Sequence, residues 1–204
     1  MESRKDHWEK IYTEKKPNEM SWFQTTPEKS LELIKIAGTS KDGNIIDVGG
    51  GASVLVDRLL DGGFKDVTVL DISSAALETA KNRLGDQAQK AKWVVADVTQ
   101  FNPVEKYDLW HDRAVFHFLT EESDRKKYAG IVAQATRPGG HLIMASFAPD
   151  GPDKCSNLSV CRYDRELIQK ELGVNFNLIR EDNEAHMTPW KKEQKFRYFL
   201  FRRN

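Results

Sequence analysis

Apolar residues along the chain alternate between short strand-sized runs and segments with helical spacing. Strand-like runs, most of them bounded by Gly, Asp, Asn or Pro, fall at fairly even intervals at 44–48, 66–70, 92–96, 107–111 and 140–147. The segments between them place apolar side chains at helical spacing, at 52–60, 74–84 and 120–135. Thr120 and Ser123 are the candidate caps of the last of these helices. This alternation is typical of repeated strand–helix units that build a parallel sheet.

The pattern changes after Phe147. A polar loop runs to about residue 162, and Asp164 then caps a predicted helix that Gly173 ends. Two further strands are predicted at 176–180 and 195–201. The loop between them is too short for a helical crossover, so we expect an antiparallel hairpin. Both faces of the last strand are apolar, which predicts an interior position in the sheet.

Two helices are predicted before the first strand. Trp8, Ile11 and Tyr12 share one face of the first helix, and Pro27 occupies the first helical position of the second. No repeat or long linker divides the 204 residues. We therefore expect a single domain over 1–204, in which 1–43 form an N-terminal helical cap.

Composition narrows the function classes. Thirty-one basic residues balance 31 acidic ones, a formal net charge of +0, so the chain lacks the basic excess of a nucleic-acid binder. No apolar stretch has the length of a membrane span or a secretory leader. Cys155 and Cys161 fit no zinc spacing and are interpreted as reduced structural thiols. We expect a cytoplasmic protein without membrane or nucleic-acid partners; the oligomeric state is left open.

A glycine-rich turn carries the sharpest chemical signal. Gly49, Gly50 and Gly51 follow an apolar strand that ends in Asp47, and Asp71 ends the next strand about 20 residues on. Glycines let a backbone approach a ligand at this edge of an α/β sheet, and the acid can accept hydrogen bonds from a ribose diol. A nicotinamide dehydrogenase uses the same parts, but Val54 stands where its third glycine would be.

A third acid, Asp97, ends the third predicted strand. It either reads the amine edge of an adenine or serves as a turn or cap residue. With the segments 107–110 and 137–142, these motifs resemble in order and spacing the class I S-adenosylmethionine-dependent methyltransferases. The resemblance covers about residues 44–147 and implies a doubly wound, Rossmann-like seven-stranded α/β sheet, mostly parallel with an antiparallel last strand. It implies S-adenosylmethionine as cofactor and S-adenosylhomocysteine as product.

The resemblance also implies roles for individual residues. Gly49 and Gly51 face the methionine part of the cofactor, with Asp47 near its amino group. Asp71 binds the ribose. Ile72 packs on the adenine, and Asp97 and Val98 contact its edge. Tyr12 and Trp22 close over the methionine end. His111, at the end of the fourth strand, is the last cofactor-binding candidate. Core packing is the alternative for Tyr12.

Ionisable side chains crowd the end of the fourth strand, where the methyl group would be presented. The catalytic candidates are His111, Arg113 and His117. His117 is either a proton acceptor or a structural residue; no zinc-like spacing joins the two histidines, so no metal is expected. Arg113 pairs either with an anionic substrate or, as we expect, with Asp112.

Methyl transfer from a sulfonium needs positioning rather than a covalent nucleophile. The identity of the acceptor is therefore expected to depend on the loops at 20–24, 148–162 and 183–191. In the last of these loops, His186, Pro189 and Trp190 either line the pocket or only close the hairpin. We expect a small-molecule acceptor. The N-terminal segment also resembles a subgroup that includes protein-lysine methyltransferases, so a protein lysine is the alternative. An NAD(P)-dependent oxidoreductase and a non-catalytic scaffold are further alternatives.

Overall fold

Seven of the nine strands lie where the apolar runs predict them, some with longer ends, and two short strands lie in the predicted loop after Phe147. In the computed structural model, which describes residues 3–204, they are β1 Asn44–Val48, β2 Asp66–Asp71, β3 Ala91–Val95, β4 Tyr107–Arg113, β5 Thr136–Phe147, β6 Lys154–Cys155, β7 Leu158–Ser159, β8 Phe176–Met187 and β9 Glu193–Arg203. Seven of them form one sheet in the order β3-β2-β1-β4-β5-β9-β8. β1 to β5 are mutually parallel, and β9 is antiparallel to both of its neighbours. The short pair β6–β7 is a separate hairpin.

Six α-helices accompany the sheet: α1 Arg4–Glu14, α2 Glu28–Ala37, α3 Leu55–Asp61, α4 Ser74–Leu84, α5 Glu122–Ala135 and α6 Arg165–Leu172. Successive side chains of a strand point to opposite faces, so Ile45 and Ile46 belong to different apolar clusters. Ile45 packs with residues of α2, α3 and α4, whereas Ile46 packs with residues of α5 and α6. The sheet is therefore covered on both faces, which confirms the doubly wound class.

The carboxyl-terminal hairpin confirms two predictions. β8 and β9 pair antiparallel from Phe176↔Arg203 to Met187↔Glu193. β9 lies between β5 and β8, and its run from Tyr198 to Phe201 is fully buried. A strand that is apolar on both faces thus takes an interior position, because both faces must be shielded from water.

Two predicted helix starts are wrong in detail. Neither Thr120 nor Ser123 caps α5; the N-cap is Glu121, whose side chain makes no capping hydrogen bond. Pro27 is the N-cap of α2 rather than its first helical residue. Asp164 does cap α6, accepting a hydrogen bond from Leu167 N at 2.9 Å. No helix among residues 3–204 is long and apolar enough to cross a bilayer.

Candidate active site

The carboxyl ends of β1 to β4 open into one cleft with an empty volume of about 820 Å³. The sheet order reverses between β1 and β4, and such a switch point is where open α/β sheets bind their ligands. Loops after β1, β2 and β3 bring Gly49, Asp71 and Asp97 to this cleft. The α1 helix and the segment after it cover it from above with Tyr12 and Trp22. With Ile72 and Val98, seven of the ten predicted cofactor-binding residues line this cleft; Asp47, Gly51 and His111 do not.

The turn after β1 leaves no room for side chains. Gly49 and Gly51 have positive φ angles of 67° and 38°, and Gly49 N donates a hydrogen bond to Leu70 O at 2.7 Å. A Cβ atom at position 49 would lie 2.0 Å from Val115 Cγ2, and one at position 51 would lie 2.7 Å from Asp71 Oδ2. Only glycine fits both positions, and Gly49 contributes bare backbone to the wall of the cleft.

Asp71 is a buried acid at the end of β2, with 5% of its surface exposed. Ser73 N donates a hydrogen bond to Asp71 Oδ1 at 2.9 Å. Burial raises the pKa of Asp71 to about 7, and the negative charges of Asp47 and Glu9 add to the rise. Hydroxyl groups of a ligand would stabilise the negative charge of this buried carboxylate by donating hydrogen bonds to it. Ile72, the next residue, also lines the cleft.

Asp97 is a cap residue that also lines the cleft. Its Oδ1 atom accepts hydrogen bonds from Thr99 N and Thr99 Oγ1, both at 2.8 Å, and so caps the turn that begins at Val98. Asp97 and Val98 nevertheless line the cleft. Arg4 of α1 reaches the same carboxylate at 3.2 Å and contacts Asp124 at 2.5 Å. Sequence reasoning missed Arg4, because nothing local marks a partner so distant along the chain.

Three aromatic rings of the N-terminal segment wall the cleft. Trp8 packs edge-on against Trp22 with centroids 5.8 Å apart, and Tyr12 packs against Trp22 at 6.3 Å. Trp8 also contacts Phe118 at 4.9 Å. Burial, with the neighbouring Asp71, raises the pKa of Tyr12. Sequence reasoning left Trp8 out of the site, although its helical spacing from Tyr12 was the available signal.

His111 is held at both ring nitrogens. Its Nδ1 atom lies 2.7 Å from Asp47 Oδ1, and its Nε2 atom lies 2.9 Å from Ser30 Oγ. All three side chains are buried. This chain joins β1, β4 and α2 and fixes Asp47 beside a second cavity of about 620 Å³, which the turn after β1 also lines. In this arrangement neither nitrogen of His111 is free to meet an acceptor.

Arg113 does not pair with Asp112, so that prediction is wrong. Adjacent strand residues point to opposite faces. Asp112 accepts hydrogen bonds from Val115 N at 2.8 Å and Tyr128 Oη at 2.6 Å. Burial raises the pKa of Asp112 to about 6.

On the other face, Arg113 Nε donates to Tyr198 Oη at 2.8 Å, and an ion pair of 3.4 Å joins the guanidinium to Glu184. The guanidinium carbon also lies 4.5 Å from the centroid of the Phe196 ring. Arg113 is thus a partnered group that forms part of the cleft wall.

His117 lies in a short turn after β4, is fully buried, and lines the cleft. Neither of its ring nitrogens has a hydrogen-bond partner among the described residues. Its ring packs against Phe118 at 4.4 Å and Phe147 at 4.9 Å. Burial, assisted by the charge of Arg113, lowers the pKa of His117 to about 3. The imidazole is therefore neutral over the physiological pH range.

None of the three candidates from the loop at 183–191 lines the cleft. His186 Nε2 donates a hydrogen bond to Ser21 O at 2.7 Å, and with Pro189 it lines a separate surface groove. Trp190, at the hairpin turn, is 56% exposed. Cys155, which sequence reasoning treated as structural, is free and lines the cleft; burial raises the pKa of its thiol to about 11.

The fold and the cleft define a doubly wound α/β protein with a ligand site at its switch point. Residues 45–140 match the family model described as a methyltransferase domain. This family model and the solved structures that share the fold are those of class I S-adenosylmethionine-dependent methyltransferases, the class that the sequence motifs resemble.

Individual relatives agree with this placement. The chain is 36% identical over 119 residues to malonyl-acyl-carrier-protein O-methyltransferase 1 of Ilyobacter polytropus. The aligned region covers 57% of this chain and 42% of that protein. The chain spans about two fifths of the length of the curated relatives it matches first.

Two solved structures share the fold at low identity. One, described for the conversion of a disulfide bond into a thioacetal group during echinomycin biosynthesis, has a TM-score of 0.80 at 18% identity and covers 99% of this chain and 94% of its own. The N-methyltransferase NodS from Bradyrhizobium japonicum in complex with S-adenosyl-L-homocysteine has a TM-score of 0.68 at 18% identity. The match covers 88% of this chain and 89% of the NodS chain.

Proposed function

We propose that the protein transfers a methyl group from S-adenosylmethionine to a small-molecule acceptor. The observation that carries the proposal is the convergence of the bare glycine turn, Asp71 and Asp97 on one cleft that aromatic rings cover. Each of these parts suits one portion of a nucleoside-bearing ligand. A protein that used the fold only as a scaffold would not need a buried, raised-pKa acid beside such a turn.

The chain offers a fitting place for the cofactor. Asp71 would accept hydrogen bonds from the ribose hydroxyls, and Ile72 and Val98 would contact the adenine. Gly49 and Gly51 would let the methionine portion lie against the backbone, with Asp47 near its amino group. The Asp47–His111–Ser30 chain holds the Asp47 carboxylate in one place. His111 is in this proposal a positioning residue.

When bound, the cofactor would supply a methyl group that its sulfonium activates toward an acceptor's lone pair. The chain's own task is to align the acceptor and exclude water. Trp8, Tyr12 and Trp22 close the cleft on the side of α1. Arg113 and His117 lie at the end of the cleft beyond β4, where the acceptor would enter.

Turnover assays test the proposal. The protein would be incubated with S-adenosylmethionine labelled in its methyl group and with separate metabolite and proteome extracts. Label in small molecules is the expected result. Label confined to proteins would assign the alternative, a protein side chain such as lysine. Label in neither fraction, together with no binding of the cofactor, would overturn the methyltransferase function.

A further inference from the structure

Aromatic rings form much of the acceptor end of the cleft, which Arg113, Cys155 and Gln194 also line. This end lies over β4, β5 and β9. Asp71 and Asp97 follow β2 and β3, which are on the opposite side of β1. The rings that line the acceptor end are those of Trp8, Trp22, His117, Phe118, Phe147 and Phe196. Phe147 and Phe196 lie 4.7 Å apart between centroids. Aromatic walls of this kind favour flat aromatic ligands, which meet them in offset-stacked or edge-to-face contacts.

The charge at this end of the cleft is already balanced. Arg113 is the charged side chain that lines it, and Glu184 compensates that charge. Both oxygens of Glu184 are in use, since Gln24 Nε2 donates to Oε1 at 3.1 Å and Tyr198 Oη donates to Oε2 at 3.0 Å. An anionic acceptor would have to compete with Glu184 for the guanidinium. A cationic acceptor would face that guanidinium with no carboxylate available among the described residues that line this end.

Two polar side chains at this end, His117 and Gln194, have buried atoms without a hydrogen-bond partner among the described residues. Both ring nitrogens of His117 are buried and make no hydrogen bond within residues 3–204. Buried polar groups in folded proteins are nearly always hydrogen-bonded, and an exception calls for an explanation. A neutral imidazole has one nitrogen that accepts a hydrogen bond. A ligand that donates one hydrogen bond here would satisfy it.

We propose, on the basis of the methyl-transfer function above, that the acceptor is an uncharged planar aromatic molecule whose reacting O–H, N–H or S–H group donates a hydrogen bond to His117. The acceptor atom gives its lone pair to the methyl carbon, sulfur keeps the electrons of the broken bond, and the acceptor's proton passes to solvent at the mouth of the cleft. His117 orients the acceptor atom through this hydrogen bond. Because Arg113 disfavours a second positive charge nearby, the imidazole does not retain the proton.

Equilibrium dialysis of protein saturated with S-adenosylhomocysteine tests this acceptor class. The probes share one ring system and differ in charge and hydrogen bonding: naphthol, naphthylamine, methoxynaphthalene, naphthoate and naphthylmethylammonium. We expect naphthol or naphthylamine to bind about tenfold or more tightly than the other three, since each of those lacks the donor or carries a charge. Equal binding of all five probes, or preferred binding of a charged one, overturns the proposal.

Two variants of His117 separate a specific hydrogen bond from a general packing effect. His117→Phe should abolish the preference for naphthol over methoxynaphthalene, whereas His117→Asn, which retains an acceptor, should restore part of it. His141→Asn is the matched control, because His141 is a half-buried histidine of β5 outside the cleft. A preference that survives His117→Phe contradicts the assigned role. Failure to bind S-adenosylhomocysteine refutes the proposed function instead, so the two failures are distinguishable.

Discussion

Replacing Asp71 by Asn should make the stability of the protein less dependent on pH. The pKa of Asp71 rises from 3.8 to about 7 on folding, mainly because the side chain is buried. The folded state therefore binds the proton more tightly than the unfolded state, and this group's contribution to stability falls as pH rises from about 4 to 7. Each pKa unit corresponds to about 1.4 kcal/mol, so the full loss is about 4 kcal/mol.

An amide does not titrate, so Asp71→Asn removes this slope. Urea unfolding, followed by tryptophan fluorescence, would be measured for both proteins at pH 5 and pH 8. We expect the stability of the variant relative to the wild type to increase by about 2–3 kcal/mol between these pH values, the part of the loss that falls above pH 5. Asp112 also titrates in this range, but it contributes equally to both proteins. Equal pH dependence in the two proteins would refute the assignment of a buried, raised-pKa acid to this position.

Three further perturbations test other parts of the site. Gly51→Ala should weaken S-adenosylhomocysteine binding at least about tenfold in calorimetry, because the new Cβ would lie 2.7 Å from a carboxylate oxygen; Gly63→Ala, which has positive φ but open space around it, should not, and equal effects would mean that only strain matters. Glu184→Ala should destabilise the protein to urea by about 2–4 kcal/mol, because it leaves a buried guanidinium unpaired. Its control, Glu32→Ala, removes two exposed ion pairs, with Lys29 and Arg180, and should cost under about 1 kcal/mol; similar losses would contradict the burial argument. Arg4→Ala should speed amide hydrogen exchange within α1, because α1 has no buried residue and the variant loses the ion pairs with Asp97 and Asp124. Unchanged exchange would show that these ion pairs do not stabilise the packing of α1.

Local patterns were sufficient for the sheet and for the cofactor side of the cleft. The five parallel strands follow from short apolar runs bounded by turn residues, and the first lies at its predicted Asn44–Val48 bounds. Gly49, Gly51 and Asp71 each stand at the carboxyl end of a strand, and the ends of parallel strands meet at one edge of a sheet. Their convergence therefore needs no knowledge of tertiary packing.

The acceptor side could not be predicted in the same way. Arg113 on β4 pairs with Glu184 on β8, and two other strands lie between β4 and β8 in the sheet. The residues next to Arg113 and Glu184 in the sequence do not indicate this pairing. The absence of a partner for His117 depends on every element packed around it. Trp8 meets Phe118 only after α1 folds across the cleft. Such contacts depend on strand order and helix placement rather than on local periodicity.

The central claim is that the cleft binds S-adenosylmethionine through Asp71 and the glycine turn. Isothermal titration of the protein with S-adenosylhomocysteine, and separately with NADPH, tests it most directly. We predict one S-adenosylhomocysteine site per chain, weakened by about 1–3 kcal/mol, or roughly 5- to 150-fold, in Asp71→Ala, and no response to NADPH. Tight binding of NADPH without binding of S-adenosylhomocysteine would contradict the account.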